Sequence, residues 1–114
     1  MLGKTRLLLR FNIAAEKEEA LNKWYDEVHL PSIVACPGFL SGRRFRSIPL
    51  PTKAKGISMG KEAKYMTLYE MESPAAYETQ EFQRARGFSE FVPFISDLTL
   101  ELFEEIKCIE KGSQ

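Results

Sequence analysis

A single histidine, His29, stands in this chain of 114 residues, inside the run Trp24-Tyr25-Asp26-Glu27-Val28-His29-Leu30-Pro31. On a helical wheel it falls about 80° from Leu21 and one turn after Tyr25, so it borders the apolar face. A helix C-terminus favours the protonated imidazole, whereas burial favours the neutral one. Opposed pulls of this kind can set a histidine near working pH, where a general acid or base is useful. The plainer alternative is a histidine that caps the last helical carbonyls and packs on Tyr25. Tyr65 and Tyr69 lie an even number of positions apart, so on a strand they share one face. Their hydroxyls could orient a polar aromatic ligand, or they could be packed core aromatics with hydroxyls at the rim. Arg43 and Arg44 point to opposite faces of a strand, and only one can line a given pocket. A guanidinium there suits an enolate, a phenolate or a carboxylate. The expectation is therefore His29 as the catalytic residue, with Trp24, Tyr25, Arg43, Tyr65 and Tyr69 around the substrate. Arg10, Arg44, Glu70 and Glu101 are expected in cross-strand or dimer-interface ion pairs.

Other chemistries find less support. Cys36 and Cys108 share no metal-ligand spacing and read as small buried hydrophobes in a reducing compartment. One histidine with scattered carboxylates makes no convincing metal set. There is no Gly-rich phosphate loop and no dinucleotide fingerprint, so no cofactor is expected. Sixteen basic residues balance sixteen acidic ones. No net positive field then draws in nucleic acid or an anionic membrane. Leu7-Leu8-Leu9 is flanked by Arg6 and Arg10, which is no secretory signal. No run approaches the roughly 20 apolar residues that span a bilayer. The expected location is cytoplasmic.

These residues must be positioned by a small number of elements. Thr5 to Ile13 alternates as a strand, with Leu7, Leu9, Phe11 and Ile13 on one side. From Glu16 the period becomes helical: three glutamates load the first turn, and Leu21, Trp24, Tyr25 and Val28 form an apolar face. Pro31 is expected to break or kink this helix, and Pro37-Gly38 to end it. Phe39 to Ile48 reads as a second strand, with Phe39, Arg43 and Phe45 on one side and Leu40, Gly42 and Arg44 on the other. Pro49 to Glu62 reads as a long loop, either a lid or simply mobile. Ala63 to Glu72 is a third strand. Ser73-Pro74 opens a second helix, which Thr79 can restart and Gly87 can close. After an irregular aromatic stretch, Asp97 to Ile109 is expected as a fourth strand with Leu98, Leu100, Leu102 and Ile106 inward. Residues 110–114 form a tail.

The order βαββαβ over about residues 5–109 makes one α+β domain with the split-βαβ, ferredoxin-like plan: a four-stranded antiparallel sheet with two helices on one face. Leu8, Leu40, Met66, Leu68 and Phe103 are too many apolar groups for a solvated second face. A second copy is expected to cover it, giving a homodimeric α/β barrel.

Trp24, His29, Pro31, Pro37 and Gly38, in that spacing, resemble the EthD-like group of dimeric α/β barrels. That group is similar in fold to muconolactone isomerase and to the antibiotic-biosynthesis monooxygenases. The resemblance spans nearly the whole chain and implies the same fold. It also implies an acid–base role for His29, by analogy with the helix histidine of EthD-like dehydratases. The function expected is cofactor-independent proton transfer on a small, oxygenated aromatic or polyketide-like compound, as in isomerisation, dehydration or cyclisation. The alternatives are a cofactor-free monooxygenase on the same fold, or a non-catalytic dimer that binds a hydrophobic metabolite.

Overall fold

The computed structural model describes residues 4–52, 55–60 and 62–112. Strand β1 runs Thr5–Ile13, β2 Phe39–Arg46, β3 Tyr65–Met71 and β4 Ile95–Glu104. They form one antiparallel sheet in the order β2-β3-β1-β4, the ferredoxin-like α+β arrangement. Leu7, Phe11, Tyr65, Thr67, Tyr69 and Met71 point inward and are buried, as the two-residue period of β1 and β3 requires.

The first helical segment is continuous rather than broken at Pro31. A short 3-10 turn leads into α1 (Glu18–Trp24), a π turn at Tyr25–His29 and α2 (Leu30–Val34). Proline has no N–H to offer the preceding turn and clashes with its carbonyl. The wider π turn just before Pro31 lets the chain pass this position without stopping. It also changes which side chains face the sheet: Tyr25 and His29 are buried, whereas Val28 is 53% exposed, against the expected apolar face. The second helix comes in the two expected pieces, a 3-10 turn at Pro74–Glu78 and α3 (Gln80–Ala85). Ser73 caps the first by accepting from the Ala75 N–H, and Thr79 caps the second by accepting from the Phe82 N–H.

Three sequence expectations are corrected. A β-bulge between Phe39 and Ser41 shifts the register of β2 by one. Phe39 still points inward, but beyond the bulge the inward positions are Gly42 and Arg44, which pair with Tyr69 and Thr67. Arg43 and Phe45 pair with Leu68 and Met66, on the outer face. Second, β4 begins earlier and ends at Glu104, which leaves Ile106 94% exposed and Cys108 exposed. Third, Arg44 pairs with Asp26 on the helical segment, while it is Arg6 that bridges Glu70 and Glu105. Between β2 and β3 the described residues form no helix or strand. Lys53, Ala54 and Lys61 of that expected loop, and Ser113 and Gln114 of the tail, lie outside the described residues.

Two buried clusters fill the space between sheet and helices. One holds Leu7, Ile33, Phe39, Tyr69, Met71 and Phe82. The other holds Phe11, Leu21, Tyr25, Tyr65, Phe88 and Phe91, with the Phe11 ring 5.0 Å from Phe88 and 5.7 Å from Tyr65. The helices approach β2 closely at Gly42, where a Cβ would sit 3.0 Å from both Leu30 and Val34. Gly38 turns the chain into β2 at φ +85°, with room for no Cβ because Ala76 lies 2.7 Å away. On the outer face Leu8 and Leu68 pair across β1 and β3, and Leu40, Phe45 and Phe103 are 40–46% exposed.

Candidate functional site

A cavity of about 100 Å³ lies between the sheet and the helical layer. Leu7 and Leu9 of β1 and Leu98 and Leu100 of β4 line its sheet side, and Tyr69 of β3 reaches it from the next strand. Tyr25, His29 and Ile33 come from the first helical segment at the spacing of one face. Phe82, Phe88 and Gly87 close the remaining wall at the end of α3, with Arg86 among them. Because α3 spans only Gln80–Ala85, it leaves the inner face of β4 partly uncovered, and Leu98 is 49% exposed at the rim.

His29 is held by rings rather than by hydrogen bonds. Trp24 stacks on its imidazole at 4.7 Å and 17°, and Tyr25 meets it edge-on at 4.8 Å and 90°. It caps no helix through its side chain, and its imidazole takes part in none of the hydrogen bonds found among the described residues. Burial lowers its pKa from the usual value to about 4, with a smaller contribution from the positive charge of Arg44. At neutral pH it is therefore an uncharged imidazole, its pKa below working pH and not near it as expected from the sequence, because the helical segment continues past His29 and burial goes unopposed.

The two tyrosines on the wall form a pair. The Tyr25 and Tyr69 hydroxyls lie 3.4 Å apart, and burial raises the pKa of both. Both stay protonated at any ordinary pH, so each retains an O–H to donate. Behind Tyr25 the Arg44 guanidinium stacks at 4.4 Å from the ring centroid. It also donates to Asp26 and Asn22, each at 2.8 Å. Its Nε and the Thr67 hydroxyl, at facing positions of β2 and β3, are buried without hydrogen-bond partners.

Of the residues singled out from sequence, the cavity brings together His29, Tyr25 and Tyr69. Trp24 stands behind His29 as its stacking partner and is not part of the wall. Tyr65 belongs to a separate polar group: it donates to Glu18, accepts from Asn22 at 3.1 Å, and neighbours the Lys64–Glu18 ion pair. Arg43 faces the opposite side of the sheet, and the inward arginine is Arg44. Arg86, Phe82 and Phe88 are wall residues that sequence reasoning did not single out. Their one signal was the Gly87 stop, which places the end of α3 over the sheet. Among the described residues no group of three or more His, Cys, Asp or Glu side chains converges as a metal site, and no helix is long and apolar enough to cross a membrane.

No family model and no curated protein matches the chain. Solved structures do match. An EthD family protein from Bacillus halodurans is 18% identical with a TM-score of 0.63, over 93% of this chain and 100% of that one. A proposed antibiotic-biosynthesis monooxygenase from Deinococcus radiodurans is 10% identical with a TM-score of 0.63, over 96% and 99%. A dimeric ferredoxin-like protein of unknown function from Thermobifida fusca is 15% identical with a TM-score of 0.57, over 90% and 91%. At these identities the likeness is one of fold: this chain has the ferredoxin-like α+β fold of those structures over nearly its whole length.

Proposed function

We propose that the cavity binds a small, largely apolar, oxygenated compound and that His29 moves a proton next to its carbonyl. The observation that carries this reading is a buried histidine, its imidazole without a hydrogen bond, on a cavity wall that the paired tyrosines Tyr25 and Tyr69 also line. In the reaction, the neutral imidazole takes a proton from carbon and the bonding electron pair moves onto the carbonyl oxygen. Tyr25 or Tyr69 donates a hydrogen bond to the oxygen on which charge develops. The histidine then returns the proton to another carbon, an isomerisation, or to a departing hydroxyl, a dehydration. Trp24 acts as a positioning residue that keeps the imidazole upright against the wall.

The sheet-face homodimer belongs to the same reading. It is supported by the apolar stripe of Leu8, Leu68, Met66 and Phe45 on the outer face and by the dimeric relative of the same fold.

Thermal unfolding against a panel of phenols, lactones, quinones and polyketide-like ketones tests the site, with His29→Ala beside the wild type. Ligand at a hundred times its dissociation constant adds about 2.7 kcal/mol, several degrees for a domain of this size. The expected result is one compound class that raises the wild-type midpoint and shifts the variant differently. No shift of either protein across the panel would sink the reading. Stabilisation of both by the same amount would leave a binding protein without His29 chemistry.

A further inference from the structure

The cavity wall carries one full charge at neutral pH, and it is positive. Its lining includes no aspartate or glutamate. His29 is neutral there, which leaves Arg86 as the charged group. The side chain of Arg86 is anchored by neighbours that do not neutralise it: its guanidinium lies 5.1 Å from the Tyr77 ring centroid and 5.7 Å from that of Phe82, and it donates to the Gln83 side-chain carbonyl at 3.4 Å. Phe82 and Arg86 both line the cavity, so the guanidinium is held against a ring of the cavity wall. Among the described residues no carboxylate pairs with Arg86. The other nearby guanidinium, Arg44, is committed to Asp26 and Asn22 behind Tyr25 and lines no part of this cavity.

From this arrangement we infer that the ligand is an amphiphilic anion, with its apolar ring or chain between Leu9, Phe88 and Leu100 and a carboxylate or similar oxyanion at the mouth, paired with Arg86. The inference deepens the small-molecule reading above and rests on it. A neutral polar group would gain little at this position, whereas a planar guanidinium offers a fork that matches a carboxylate with two parallel hydrogen bonds. The interior offers the opposite selection. Leu7, Leu9, Ile33, Leu98 and Leu100 present no hydrogen-bonding side chain, and the Tyr25 and Tyr69 hydroxyls and neutral His29 carry no positive charge, so a full negative charge buried there would lose its hydration with no counter-charge. The charge therefore belongs at the rim and the apolar part inside, which fixes the direction in which a ligand enters.

The test uses 3-phenylpropanoate and its neutral isostere 3-phenylpropanamide, measured by calorimetry and by the fluorescence of Trp24, the one tryptophan, which stacks on His29. The carboxylate is expected to bind about tenfold tighter, between the few-fold effect of a fully exposed ion pair and the hundredfold effect of a buried one. The preference should shrink as salt is raised. Arg86→Gln should abolish it while the amide binds as before, and Arg86→Lys should keep part of it. Equal affinity of the two probes for the wild type would overturn the anion inference and leave the small-molecule site standing. An undiminished preference in Arg86→Gln would overturn the assignment to this residue. If neither probe binds nor changes Trp24 emission, the inference falls together with the reading it rests on.

Discussion

His29 is the residue whose protonation the fold opposes most clearly. Its pKa in the folded protein, about 4, lies below the ordinary value near 6.5, so as pH falls the unfolded chain takes up the proton first. The His29 contribution to stability is complete above about pH 6.5, declines as pH falls towards 4, and is lost below that. The loss over this window is about 2 kcal/mol, less than full linkage because one edge of the ring meets the cavity. Urea unfolding at a series of pH values should show this slope in the wild type and a clearly smaller one in His29→Leu. A variant with the wild-type slope would assign the effect to another group. Arg44 adds to the depression through its charge. In Arg44→Met the His29 pKa, read by NMR, should therefore rise, yet stay below the ordinary value because burial is the larger cause. The same substitution removes the stacking on Tyr25 and the bonds to Asp26 and Asn22, and should destabilise the fold by about 1–3 kcal/mol.

At the scale of elements, single-residue irregularities decide which side chains meet, and two of them bear on the arginine and the histidine. The bulge at the start of β2 exchanges Arg43 for Arg44 on the inner face, and the π turn takes Val28 out of the core while His29 stays in it. Neither changes composition or the average period. Alternation along Thr5–Ile13 and Tyr65–Met71 was legible because nothing interrupts it, and so were Ser73 and Thr79 as caps. Ile106 misled because hydrophobicity continues past the point where β1 can supply a partner: β4 pairs as far as Glu104 with Thr5. Pro31 was the visible trace of the π turn, but a proline within a helical pattern reads equally as a stop. Tyr69 lies on an uninterrupted strand, and Tyr25 and His29, one turn apart, keep the same face through the π turn, so their place on one wall was legible; Arg86 and Phe88 became wall residues through tertiary packing alone. The close approach at Gly42 gives a test at this scale. Gly42→Ala should destabilise by about 1–2 kcal/mol in chemical denaturation, since Leu30, Val34 and Tyr69 must all shift to admit the methyl. Gly38→Ala should destabilise more, because it adds strain at positive φ to a contact with Ala76. A neutral result at Gly38 would contradict the turn geometry described.

At the scale of the whole molecule, the sheet has a dry face and a half-dry one. Leu8 and Leu68 meet at the centre of the outer face, flanked along the same row by Arg43 and Glu101. A charge placed at that centre would remain exposed in a single copy and would be trapped in a pair. On the dimer proposal, Leu68→Glu should give a folded protein with the mass of one chain, 13.1 kDa, by light scattering at micromolar concentration, and the wild type should give twice that mass. A wild type that already scatters as one chain would end the dimer proposal.

The cavity's size carries a consequence for time rather than for affinity. An apolar space of roughly 150 Å³ is what accepts a benzene ring, and about 100 Å³ is less than that. If a ring seats fully only after Phe88, Leu98 or the end of α3 has moved, that movement sets a ceiling on how fast the final complex forms. Stopped-flow mixing with rising ligand should then show an observed rate that stops increasing at high concentration, with a limiting value shared by ligands of very different affinity.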